Sequence, residues 1–137
     1  MSSYPLGLWK GSQSKGDSMN QYLLGIDIGT SACKVAVFNC EGKVIATGSG
    51  DYEVFYPHMG WAEQNPEDWW NAVCSAIQEL FKKCDVKPEE IVGVGIDGQS
   101  WSAIAVDKEG NVLTNTPIWM DTRAKDICEE LNEEMRE

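Results

Sequence analysis

The chain has 137 residues, enough for one domain that buries about two-thirds of its unfolded surface. Its net charge of −11 argues against nucleic acid or an anionic membrane as partner, since phosphate backbones need a basic face. Five cysteines (Cys33, Cys40, Cys74, Cys84, Cys128) without a Cys-x-x-Cys pair support neither a disulfide framework nor a zinc site, and fit reduced thiols in the cytoplasm.

Residues 1–20 are rich in Ser, Gly and Lys and show no periodicity, so they read as a disordered leader ahead of a domain over 21–137. Leu6-Gly7-Leu8-Trp9 is too short for a signal-peptide core, and Met19 is a candidate natural start. No apolar run approaches the roughly 20 residues that a membrane helix needs.

Tyr22 to Lys34 organises the rest. Leu23, Leu24, Ile26 and Ile28 form a nearly continuous apolar run, which predicts a strand covered on both faces. Asp27 interrupts it, and a carboxylate there is costly unless a metal, a donor or water meets it. Gly29 lets the backbone turn and a ligand approach, Thr30 and Ser31 offer hydroxyls and N–H groups to an anion, and Lys34 adds a point charge. Such a turn cradles phosphate, with Asp27 holding a divalent cation or its water shell. A plain β-hairpin whose Asp bonds its own turn fits the spacing equally well.

Val35 and Val37 lie in a second strand, Asn39-Cys40-Glu41-Gly42 is a turn, and a third strand runs from Val44 to about Gly50. Residues 51–64 are aromatic and aperiodic: either a rim for a sugar, whose apolar ring faces stack on aromatics, or a loop pinned by burial of Tyr52, Phe55 and Tyr56. His58, the only histidine, cannot build a histidine metal site alone. Asn65 as N-cap, Pro66 at the first position, and Glu67 and Asp68 in the first turn predict a helix. Its apolar face is Trp69, Trp70, Val73, Cys74, Ile77, Leu80 and Phe81, with both tryptophans in the core.

Ile91 to Gly98 is the fourth strand. Gly93-x-Gly95-x-x-Gly98 satisfies a dinucleotide-binding pattern, but its glycines lie inside the apolar run, so a nicotinamide or flavin site is discounted. Gly93 and Gly95 instead allow another element to pack closely. Gln99-Ser100-Trp101 follows the strand end, where ligand loops sit in α/β sheets; on residue type alone Trp101 reads as a buried aromatic. Ala105 to Leu113 echoes Val37 to Ile45, which predicts two similar hairpins on one sheet. Asp121 is a candidate N-cap of a final helix with the apolar set Ala124, Ile127, Cys128, Leu131 and Met135. The late glutamates form its solvated face.

Asp27-x-Gly29-Thr30-Ser31 with Lys34 resembles the first phosphate motif of the FGGY carbohydrate kinases. So, in order, do Gly60-Trp61-Ala62-Glu63-Gln64-Asn65-Pro66 with Trp69-Trp70, Gly95-Ile96-Asp97-Gly98-Gln99, the Val106–Gly110 turn, and Trp119-Met120-Asp121-Thr122-Arg123. The chain is most similar by eye to the xylulokinase-like members, over residues 22–137. The resemblance implies a ribonuclease-H-like α/β fold of the actin and hexokinase superfamily: an incomplete N-terminal domain with a mixed sheet and flanking helices. It implies transfer of the ATP γ-phosphate to a small sugar such as a ketopentose, or to a related polyol. Asp27 would serve catalysis and Mg²⁺, directly or through water; Gly29, Thr30, Ser31 and Lys34 the nucleotide; Gln99, Ser100, Trp101 and Asp121 the substrate. Xylulokinases usually carry Met-His where this chain has Ser100-Trp101, which leaves xylulose itself open.

In the family the base, the second phosphate loop and the adenine site come from sequence beyond the aligned region. The chain therefore reads as the front part of a kinase, inactive alone, whose partners are the C-terminal kinase domain of the same protein and, optionally, a second copy. A non-catalytic sugar- or phosphate-binding module of the same fold is the alternative; an actin-like assembly protein fits the sugar-side residues less well.

Overall fold

The structure, a computed structural model, describes residues 21–135; the leader expected over 1–20 lies outside the described residues. Strands β1 (Tyr22–Ile28), β2 (Ala32–Asn39) and β3 (Val44–Asp51) form an antiparallel meander. The β2–β3 turn is closed by Asn39, whose side-chain oxygen accepts from the N–H groups of Glu41 and Lys43, with Gly42 at φ +81°. Next come β4 (Glu63–Gln64), α1 (Pro66–Lys82), a short 3-10 turn at Pro88–Glu90, β5 (Ile91–Gly98), β6 (Thr116–Pro117) and α2 (Lys125–Glu134). β5 pairs parallel to β1, giving the mixed sheet β3-β2-β1-β5, while β4 and β6 form a separate two-stranded ribbon.

Helix α1 starts where the capping residues place it. Asn65 accepts from the Glu67 N–H at 3.2 Å, Pro66 occupies the first turn, and Lys82 stands in the last. Its sheet-facing stripe differs from the one predicted. Ala72, Val73, Ala76 and Leu80 are buried, Trp69 is half-buried, and Trp70 is 65% exposed. Adjacent helical residues point about 100° apart, so Trp69 and Trp70 cannot share the buried face. The alanines let α1 come close to glycines of β3: a Cβ on Gly48 would stand 2.2 Å from the Ala76 carbonyl oxygen, and one on Gly50 2.7 Å from that of Ala72. The core is this layer, with Leu24, Ile26, Cys33, Val35, Val37 and Ala46 from the strands.

Cover on both faces of β1 is not found. Leu24 and Ile26 are buried under α1, but Leu23 and Asp27 on the opposite face are open, because no described element crosses that face. β5 is an edge strand that α1 does not reach, leaving Val92, Val94 and Ile96 exposed. Gly95 has nothing within 4 Å of a built Cβ, so the close-packed neighbour predicted there is absent among the described residues.

The two echoing segments share turn chemistry but not a sheet. Asp107 accepts from Glu109 and Asn111 as Asn39 does from Glu41 and Lys43, and Gly110 has φ +89°. Beyond that turn the second hairpin has a single bridge, Val106 to Val112, because no strand lies beside it. Phe55 is bridged to Glu63, and Tyr56 is 66% exposed rather than pinned by burial. Helix α2 forms at the predicted spacing, yet none of its residues is buried. Its N-cap is Ala124 rather than Asp121, whose carboxylate is engaged elsewhere.

Candidate functional site

The turn between β1 and β2 brings most of the predicted phosphate-side residues together. The Gly29 N–H donates to the Ala32 carbonyl, and the Tyr52 hydroxyl donates to the Gly29 carbonyl. Among the described residues, the backbone N–H groups of Thr30 and Ser31 have no protein acceptor and so remain available to an anion. Asp27 stands opposite Lys34 on β2 and beside Asp97 on β5, all three on the uncovered sheet face. That face forms an open trough of about 820 Å³, which Asp27, Lys34, Asp97, Gly25 and Phe38 help to line. Beneath the turn, burial and then the nearby Asp27 charge push the Cys33 thiol up. The Tyr52 hydroxyl is pushed up to about 12, first by burial, then by Cys33 and Asp27, so it stays a proton donor to the turn.

Among the described residues no three His, Cys, Asp or Glu side chains are placed to share a metal. Two carboxylates, Asp27 and Asp97, stand side by side on the open face, and Mg²⁺ ordinarily takes one or two carboxylates together with waters and substrate phosphates.

Gln99 follows β5 and is anchored there, its N–H donating to the Ile28 carbonyl at 2.8 Å. The next residues are open to solvent. Ser100 is exposed, and Trp101 is 93% exposed with φ +68°, a left-handed conformation uncommon outside glycine. The buried position that its residue type predicts is therefore corrected: the loop lifts the indole off the domain. Trp119 comes to the same region from the other side, its indole N–H donating to Thr30 Oγ1 at 3.0 Å, with more than half of its surface exposed.

Asp121 is placed next to this region with its carboxylate turned inward. It accepts from the Ala62 N–H at 2.8 Å and from Arg123 at 2.8 and 2.7 Å. Arg123 also reaches Glu63 at 2.7 Å and lies 3.7 Å over the Trp61 ring. Hydrogen bonds from Arg123 hold the Asp121 carboxyl well below the usual carboxylate range, against its burial. Asp121 and Glu63 in turn raise the guanidinium.

The residue at the centre is Gln64, 1% exposed. Its amide contacts Thr30 of the β1–β2 turn, Glu53, Trp69 of α1 and Gln99 of the β5 loop, at 2.7 to 3.2 Å. Neither Gln64 nor Trp119 carries a sequence signal for its position: Gln64 sits among Gly, Glu, Asn and Pro residues of loop type, and an indole beside a hydroxyl-rich turn 89 residues away has no local signature.

The chain matches the model of the FGGY family of carbohydrate kinases, N-terminal domain, over residues 22–137. It is 34% identical over 116 residues to a glycerol kinase of Bacillus mycoides (strain KBAB4), covering 84% of this chain and 23% of that protein. Among solved structures it superposes on a xyloylose kinase from Brucella ovis with TM-score 0.76 and 33% identity, over 85% of this chain and 24% of that one. It superposes on a gluconate kinase from Lactobacillus acidophilus with TM-score 0.77 and 30% identity, over 84% and 23%. The fold is thus that of these sugar kinases, the actin- and hexokinase-like architecture expected. The chain spans about a quarter of the length of the curated relatives it matches.

Proposed function

The chain belongs to the FGGY family of carbohydrate kinases, and on that premise we propose that its protein transfers the γ-phosphate of ATP to a hydroxyl of a small sugar or polyol. The supporting observation is that the β1–β2 turn and the loop after β5 meet at one buried amide, Gln64, with the half-exposed Trp119 indole bonded to the turn at Thr30 and the exposed Trp101 on the loop. Phosphoryl transfer needs positioning and charge neutralisation more than covalent help from the protein, and this geometry divides those tasks between the two loops.

On the phosphate side, Thr30 and Ser31 present N–H groups and hydroxyls, Lys34 adds a charge, and Gly29 keeps the backbone approachable. Asp27 would hold Mg²⁺ directly or through water; bound Mg-ATP supplies the phosphoryl group and the cation that offsets its charge. On the sugar side, Gln99 and Ser100 offer polar groups, and Trp101 and Trp119 offer apolar faces for a sugar ring. Asp121 acts through Arg123 and Ala62 to fix the Trp61–Gln64 segment. The base that takes the hydroxyl proton is assigned to further sequence of the same polypeptide, and the working compartment to the cytoplasm.

The relatives are kinases of glycerol, xylulose and gluconate. Within that range we favour a ketopentose or related polyol. The test is ADP release by the full-length gene product with Mg-ATP and D-xylulose, glycerol or D-gluconate. Release dependent on one of them supports the reading. Sugar binding without release leaves the non-catalytic module, and neither binding nor release contradicts both.

A further inference from the structure

The chemistry around Gln64 fixes which way round each amide lies. An indole N–H can only donate, so the Gln64 atom 3.0 Å from Trp69 Nε1 is its carbonyl oxygen. The other end of the amide faces the carbonyls of Thr30 and Glu53 at 2.7 and 3.2 Å, which only an NH₂ group satisfies. Gln99 therefore turns its own NH₂ to Gln64 Oε1, at 2.7 Å. What is left over is the Gln99 carbonyl oxygen, buried and without a protein donor among the described residues. Ser102 Oγ, on the same loop, is the other buried side-chain atom without a partner among the described residues. A buried acceptor left unpaired costs about 1–3 kcal/mol, so the Gln99 amide is held in this orientation by its NH₂ bond to Gln64 and not by its own oxygen.

We infer that Gln64 is the positioning residue of this site: it fixes the Gln99 side chain and with it the base of the Ser100–Trp101 loop, and with the same amide it holds the Thr30 carbonyl of the β1–β2 turn. This rests on the kinase reading above for the identity of the ligand, but the amide arrangement does not. One buried side chain thus ties the two halves of the proposed reaction site.

The experiment is kinetics of Gln99→Met, Gln64→Met and Gln64→Glu in the full-length product, with D-xylulose, glycerol and D-gluconate as substrates and melting temperature recorded alongside. Gln99→Met, which removes the bond to Gln64 on the β5-loop side alone, raises the sugar KM about tenfold and leaves the ATP KM within about twofold. Gln64→Met raises both KM values, because both loops are released together. Gln64→Glu keeps the oxygen that Trp69 and Gln99 donate to, but turns a second oxygen on two carbonyls unless it is protonated. Its efficiency therefore falls as pH rises through a range where the wild type is flat. A Gln64→Met protein altered only in melting temperature, or a Gln64→Glu profile parallel to wild type, overturns the inference. If the wild type transfers no phosphate, the kinase reading fails separately. Hydrogen exchange of the side-chain NH₂ groups in the 137-residue chain then decides: protected Gln64 and Gln99 amides uphold the arrangement, freely exchanging ones overturn it.

Discussion

The half of the sheet under α1 and the half carried by β5 begin from similar sequence and end differently. Both have apolar residues at strand spacing and a following amphipathic helix. Under α1, Val35, Val37, Ala76 and Leu80 are buried; on β5 and α2, Val94, Ile96, Ile127 and Leu131 are exposed. The difference lies in the facing surface. α1 closes on β3 because Gly48 and Gly50 meet Ala76 and Ala72 at backbone distance, whereas α2 has no such counterpart among the described residues. Periodicity makes a helix; burial needs a partner shaped to receive it.

The contrast is broken most severely at Leu80. Leu80→Ala should destabilise by about 2–5 kcal/mol, while Leu131→Ala on α2 should stay within about 0.5 kcal/mol, by urea denaturation of the same protein. Equal losses would mean that α2 is buried in solution. Glycines sharpen the comparison. Gly48→Ala drives a methyl into the Ala76 carbonyl and should cost about 1–3 kcal/mol, whereas Gly95→Ala meets nothing and should be neutral or slightly stabilising, since alanine suits a strand interior better by about 0.5–1 kcal/mol.

The Asp121–Arg123–Glu63 cluster joins the segment before α1 to the segment before α2, so it tests whether the two halves are coupled. Its stabilisation is fully present above the unfolded carboxyl value of about 3.9 and is lost as pH falls toward the depressed native value. Asp121→Asn should flatten that acid limb of the melting curve, and an unchanged limb would remove the cluster from the account. The smallest effect is at Tyr52. Tyr52→Phe should cost about 1 kcal/mol by releasing the Gly29 carbonyl. The wild-type contribution should hold below about pH 10 and fade as pH rises through about 12, a decline that Tyr52→Phe lacks.

The first three strands, the capped helix and the fourth strand were legible because each is written locally, in apolar runs, in Asn65-Pro66, and in the run from Ile91. The β1–β2 turn was legible as a motif for the same reason. The parallel pairing of the fourth strand with β1, by contrast, is set by the fold. Helix orientation was not: the tryptophans dominated the apolar stripe on paper, while the close contacts belong to two alanines opposite two glycines. The Gln64 junction was hidden because its partners, Thr30, Trp69 and Gln99, lie 34, 5 and 35 residues away and only the fold assembles them. The inward turn of Asp121 likewise depends on Ala62, 59 residues earlier.

The most direct test of the account is Asp27→Asn in the full-length product, with sugar affinity by calorimetry and phosphoryl transfer by ADP release measured on the same preparation. The account predicts transfer reduced about a hundredfold or more while sugar affinity stays within about threefold, because it assigns Asp27 to the phosphate side and Gln99 and Trp101 to the sugar side. Unchanged transfer, or sugar binding lost in step with it, would contradict that division of the site.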